Sequence, residues 1–323
     1  MTGRRIDVAG APSASGFSED PEPFVGLHHW LLGNPKDYDR AWTVDRVQLR
    51  AFVGATQPSL VAAFDLDDDS PARQKFLARL QGETARRGVV DVLRNGLKHG
   101  AHHIDLFHGT PSPGNAKAAE RFALNRFSVT RQLRYSRDDT AHALDLALFI
   151  NGLPVATFEL KNSLTKQTVE DAVEQYRRDR DPREKLFEFG RCVVHLAVDD
   201  AQVKFCTHLK GKGSWFLPFD KGWNDGAGNP PNPGGIRTDY LWTDIIENYA
   251  QIVERKDPKT GRTKRDQLFP RFHQLDVVRR LLADAKAKGA GRRVLIQHSP
   301  GLTRSLFRSF PIRMPNGRSF RSS

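Results

Sequence analysis

A chain of 323 residues, 38% of them hydrophobic, can bury a sizeable core and is long enough for about two domains. Its net charge of +12 does not describe a generally cationic, phosphate-coating surface, because residues 1–256 hold 34 basic and 34 acidic side chains, whereas 257–323 hold 16 and 4. No apolar run approaches the ~18 residues of a membrane span and no apolar leader opens the chain. Cys192 and Cys206 are too few for a secreted disulfide framework, which leaves the cytoplasm as the default.

Residues 1–20 are rich in Gly, Ser, Ala and Pro and are expected to be disordered. From residue 21 to about 256 the chain reads as one continuously folded domain. The stretch 71–97 sets Phe76, Leu77, Leu80, Val90 and Leu93 at helical spacing and predicts a helix. Strand-like segments follow at 121–136, 142–150 and 153–161. A helix is predicted from Thr168 to Arg178, with Thr168 as its N-cap and Val169, Ala172, Val173 and Tyr176 as its apolar stripe. Two more strands are predicted at 190–199 and 202–209. Residues 224–235 (NDGAGNPPNPGG) read as a turn, since their prolines lack the N–H donors of a phosphate cradle. Residues 257–266 read as a charged linker, 269–289 as a helix, and 292–301 as a strand entering a loop.

Chemistry concentrates between Ala143 and Lys161 (ALDLALFI-NG-LPVATFELK). Asn-Gly between two apolar runs signals a hairpin. Asp145 falls on the face opposite Leu144, Leu146, Leu148 and Ile150, and Glu159 and Lys161 share a face on the second strand. Two carboxylates suit a hard divalent cation, Mg²⁺, and a lysine orients water or offsets charge, as phosphodiester hydrolysis requires. Register decides whether they meet. A strict two-residue turn pairs Asp145 with Phe158 and sends Glu159 to the other side. A three-residue loop or a bulge brings Asp145 beside Glu159, and Pro154 makes such an irregularity the expectation. Taken singly, a strand Asp or an exposed Glu-x-Lys is ordinarily solvated surface. Gln175, on the next helix, is the candidate site-facing amide.

The segments LNRFSVTRQLRYS and ALDLALFINGLPVATFELKNSLTKQTVEDAVEQYRRD together resemble the N-terminal nuclease domain of the R subunit of type I restriction enzymes. The resemblance runs from about residue 25 to 300, through GNPPNPGG and FPRFHQLDVVRRLL. It implies an α/β fold: a restriction-endonuclease-like mixed sheet flanked by helices, then the start of a RecA-like motor domain over 257–301. By the match, Asp145 and Glu159 are Mg²⁺ ligands and Lys161 the catalytic lysine. Gln175 opens a Gln-x-x-x-Tyr element that is broken here, because residue 179 is Asp. Gln274 matches an adenine contact. Double-stranded DNA and the modification and specificity subunits are the implied partners, with ATP serving only the full-length family.

The likeness breaks where a Gly-Lys-Ser/Thr should bind phosphate. Thr303 and Arg304 stand in the first two places and Ser305 alone fits. Residues 302–323 carry five arginines and no acid, an aberrant basic tail that suggests a changed reading frame or a natural short protein. Absence of ATP hydrolysis is expected either way. A catalytically silent, subunit-docking remnant of the family and an unrelated stand-alone nuclease are the competing readings.

Overall fold

A computed structural model describes residues 30–138, 142–219, 242–258 and 260–289, apart from the side chain of residue 242. The readings for 1–20, 224–235, 292–301 and 302–323, with Ser305, lie outside the described residues.

The chain enters through strand β1 (Trp30–Gly33) and a short pair, β2 (Tyr38–Asp39) and β3 (Val44–Asp45). Helix α1 (Arg46–Thr56) begins where Asp45 accepts the Gln48 N–H at 3.0 Å, and α2 (Pro58–Phe64) follows. The helix predicted over 71–97 is instead two helices, α3 (Pro71–Arg87) and α4 (Val89–Asn95). Gly88 divides them: its φ is +85°, and a Cβ there would meet Ile252 Cδ1 at 2.4 Å, so the chain turns where a helix would collide.

Strands β4 (Leu97–His99) and β5 (His102–Ile104) form a small hairpin, and α5 (Ala116–Ala123) takes the first residues of the stretch predicted as strand from 121. Then come β6 (Phe127–Arg134), β7 (Ala143–Ile150), β8 (Leu153–Leu160), α6 (Val169–Arg178), β9 (Val194–Val198), β10 (Val203–Cys206) and β11 (Leu217–Pro218). Helix α6 starts as predicted, with Thr168 and Asp171 bonded to each other in a capping box.

Seven strands make one sheet in the order β1-β6-β7-β8-β9-β10-β11, with β1–β6 and β8–β9 parallel and the other neighbours antiparallel. This is the mixed α/β sheet expected. One face packs on α1–α4 through Phe52, Phe76, Leu93, Val155 and Leu196. The other packs on α6 through Ala147, Phe149, Val173 and Tyr176. Each fully buried large side chain of this kind contributes about 1.5–3 kcal/mol.

The stretch 257–266, read as a linker, is the turn and part of the second strand of a hairpin, β12 (Gln251–Lys256) with β13 (Thr263–Leu268). It follows a short helix, α7 (Trp242–Asp244), and a π-helical turn (Ile245–Tyr249); Arg94 donates to the Ile246 carbonyl within the turn and to the Ala250 carbonyl just after it. Gln267 anchors the hairpin by donating from Nε2 to the Cys192 carbonyl at 2.8 Å. Helix α8 (Phe272–Lys288) matches the helix expected there. Among the described residues no helix is long and apolar enough to cross a membrane.

Candidate active site

The turn between β7 and β8 is a two-residue turn after all: Ile150 pairs with Leu153, and Asn151 and Gly152 both have positive φ, +51° and +81°. Irregularity enters one step later. The register shifts between Phe149↔Pro154 and Leu148↔Ala156, so Val155 is the extra residue and Leu146 pairs with Phe158. The bulge, not a longer loop, therefore carries Asp145 level with Glu159.

The leucine set does not stay on one face. Leu148 and Ile150 pack towards α1–α4, but Leu144 joins the cluster under α6. The β6–β7 ladder runs from Arg131↔Leu146 to Leu133↔Leu144, and Gln132 between them has φ +47°. The change of side at Leu144 thus coincides with this kink in the neighbouring strand.

Asp145 is half-buried and tethered at both oxygens. Oδ2 accepts the Leu160 N–H at 2.7 Å and Oδ1 accepts from Gln132 Nε2 at 3.3 Å. Glu159 is fully buried, and its Oε1 accepts from Arg180 Nε at 2.6 Å. Its Oε2 has no hydrogen-bond partner among the described residues. Burial pushes the Glu159 carboxyl up to about 7; the Arg180 bond opposes the shift, as does the charge of Lys161, and the Asp145 charge adds to it. Lys161 donates from Nζ to Gln175 Oε1 at 2.6 Å. Asp145 and Lys161 lie near enough to act electrostatically on the Glu159 carboxyl, and Gln175 joins the group through its bond to Lys161.

Helix α6 braces both halves of Glu-x-Lys, through Gln175 within it and through Arg180 just past its end. Arg180 is itself buried, donating to the Ala143 carbonyl at 2.9 Å and the Tyr135 hydroxyl at 3.4 Å as well. Sequence reasoning missed Arg180 and Gln132. Arg180 lies in a run of alternating charges, RRDRDPRE, where nothing in spacing separates one buried arginine from its solvated neighbours.

Beneath Glu159 on β8, Thr157 Oγ1 bonds the Tyr176 hydroxyl at 2.9 Å and His195 Nδ1 at 2.8 Å. Burial lowers His195 to about 3, so the imidazole is neutral, and Tyr176 belongs to the core as expected. Cys192 and Cys206 are buried free thiols.

Among the described residues no group of three or more His, Cys, Asp or Glu side chains is placed to hold a metal. Two carboxylates remain, and the buried Glu159 Oε2 without a hydrogen-bond partner is a hard oxygen donor of the kind a divalent cation takes. The donor chemistry fits Mg²⁺. Gln274 Oε1 accepts the Arg271 N–H at 3.2 Å and caps α8.

Residues 84–214 match the family model described as type I restriction enzyme R protein N terminus. This segment is similar to the N-terminal region of type I restriction enzyme R proteins. No curated protein matches it. The family segment spans α4 to β10 and contains every residue of the constellation, while Gln274 lies beyond it. The match supports a restriction-enzyme, nuclease-related role in general terms, and the mixed sheet with flanking helices is consistent with a nuclease-like fold.

Proposed function

We propose that this R-protein segment is a Mg²⁺-dependent endonuclease module that hydrolyses DNA phosphodiester bonds, with Asp145 and Glu159 as metal ligands and Lys161 as the catalytic lysine. One observation carries the reading: a fully buried Glu159 leaves Oε2 without a partner while Asp145 and Lys161 act electrostatically on the same carboxylate. Structural acids are ordinarily satisfied when buried; a ligand site is where one is not.

A bound divalent cation would supply electrophilic stabilisation of the phosphate and acidify a water molecule. The chain's own groups do the positioning. The Leu160 N–H holds Asp145 and Arg180 holds Glu159, so both ligands are fixed before any cation arrives. Lys161, aligned by Gln175, places its ammonium group to orient water and to offset charge developing on the phosphate, in surroundings where burial strengthens the interaction.

Double-stranded DNA is the proposed substrate, and the modification and specificity subunits of a type I complex are the proposed partners. ATP hydrolysis by this chain is not expected, because Thr303 and Arg304 stand where phosphate binding asks for Gly and Lys. DNA-stimulated ATPase activity of the purified chain would contradict that.

The deciding experiment is nicking of supercoiled DNA in Mg²⁺ by wild type and Lys161→Ala. Loss of about 10²–10³-fold in rate is expected for the variant. Equal nicking by both sinks the site. A folded wild type with no nicking favours the competing reading, a catalytically silent docking module, which the bond of Arg180 to Glu159 Oε1 supports.

A further inference from the structure

Arg180 takes one oxygen of Glu159 and leaves the other. Its Nε lies 2.6 Å from Oε1, its remaining nitrogens are committed to Ala143 and Tyr135, and the side chain is 3% exposed. A guanidinium held at three points inside the fold cannot swing aside without orphaning all three partners. Glu159 is therefore limited in how it meets a cation. Chelation through both oxygens would require a divalent ion and a guanidinium to share Oε1, with two positive charges in repulsive contact. Coordination through Oε2 alone requires nothing to move.

Cations differ in what they ask of a carboxylate. Ca²⁺ takes six to eight oxygens at long range and often binds a carboxylate through both oxygens, whereas Mg²⁺ demands a tight octahedron and takes one oxygen from each carboxylate. We infer that Arg180 is a specificity-determining positioning residue: by occupying Glu159 Oε1 it confines the carboxylate to one-oxygen coordination and tunes the site to Mg²⁺ over Ca²⁺. The inference rests on Glu159 being a metal ligand, as proposed above.

The test is calorimetric titration of the full chain with Mg²⁺ and with Ca²⁺, for wild type, Arg180→Lys and Arg180→Ala. Wild type is expected to bind Mg²⁺ more tightly than Ca²⁺. Arg180→Lys keeps a positive charge beside Oε1 but loses the planar fork that also reaches Ala143 and Tyr135, so it should hold the preference only in part, within about fivefold of wild type. Arg180→Ala frees Oε1 and should shift the preference towards Ca²⁺ by about tenfold. A folded Arg180→Ala with an unchanged preference overturns the inference while leaving the metal site standing. Failure of the wild type to bind Mg²⁺ overturns both.

Should Arg180→Ala not fold, infrared spectra of the wild type loaded with each cation decide the matter. The separation of the two carboxylate stretches distinguishes one-oxygen from two-oxygen coordination, and Glu159→Gln identifies the Glu159 bands. One-oxygen coordination of Ca²⁺ by Glu159 supports the inference, and two-oxygen coordination overturns it.

Discussion

At its turn, hairpin β7–β8 buries Asn151 completely and gives each side-chain polar atom a partner. Oδ1 accepts the Arg126 N–H at 2.6 Å, and Nδ2 donates to the Leu106 carbonyl and to Asn125 Oδ1, both at 2.9 Å. Asn125 is satisfied in turn by the backbone of His108 and Phe122. At the open end of the same hairpin Glu159 is buried as completely, but it has one bond at Oε1 and none at Oε2. Asp45 also has a partnerless oxygen, yet it caps α1, where the helix N-terminus compensates. A closed polar network holds the fold together, and the open one beside further charges is what the proposed metal site rests on.

The largest expected effect tests whether the open end is a buried ion pair. Glu159→Ala leaves the Arg180 guanidinium buried without its counter-charge, which costs about 3–5 kcal/mol. Replacing both, as Glu159→Gln with Arg180→Met, should recover part of it, since the Ala143 carbonyl and the Tyr135 hydroxyl still lose their donor. Urea unfolding in EDTA measures each variant; a loss under about 1 kcal/mol for Glu159→Ala would show that water reaches the pair.

Asn151→Ala should cost about 2–3 kcal/mol, because it orphans the Arg126 N–H, the Leu106 carbonyl and one acceptor position on Asn125. The loss should be equal with and without Mg²⁺. Stabilisation of the wild type by Mg²⁺ that vanished in Asn151→Ala would erase the distinction between the two ends.

The pH dependence sharpens it further. Glu159 is raised to about 7 from an ordinary value of 4.5, so its folded form holds a proton more tightly than the unfolded chain does. Its contribution to stability is therefore complete below about pH 4.5 and is lost as pH rises through 7. Without metal, the wild type should lose about 1–3 kcal/mol relative to Glu159→Gln between pH 5 and 7.5. A difference that stays level across that range would place Glu159 in contact with water. Mg²⁺ should reverse the trend, since it competes with the proton for Oε2.

How far this contrast could be read in advance follows from what each residue needs. The Asn-Gly turn and the Thr168 cap depend on neighbours in the chain, and local sequence carries them. Asp145, Glu159 and Lys161 were legible as residue types at a spacing, and Pro154 hinted at the irregularity that aligns them. Whether the turn or a bulge shifts the register was not, because both give the same pattern of side chains beyond Ala156. The break at Gly88 depends on Ile252, which lies far along the chain on a hairpin that reads as a linker. Arg180 depends on Tyr135 and Ala143, again distant in sequence.

Gln175 gives the smallest effect and the finest test. It bonds Lys161 from a helix whose capping box and apolar stripe do not involve it, so Gln175→Ala should change stability by no more than about 0.5 kcal/mol. The lysine would keep its charge and lose its fixed direction. Nicking should then fall by about tenfold, as when a supporting partner of a reacting group is removed, well short of the loss on removing Lys161 itself. Because the amide touches the ammonium and not the carboxylates, Mg²⁺ affinity measured by calorimetry should stay within about twofold of wild type. A Gln175→Ala protein that lost Mg²⁺ binding along with nicking would mean that α6 supports the carboxylate pair and the lysine as one unit. The two arms of the site, Arg180 on Glu159 and Gln175 on Lys161, would then no longer be separable.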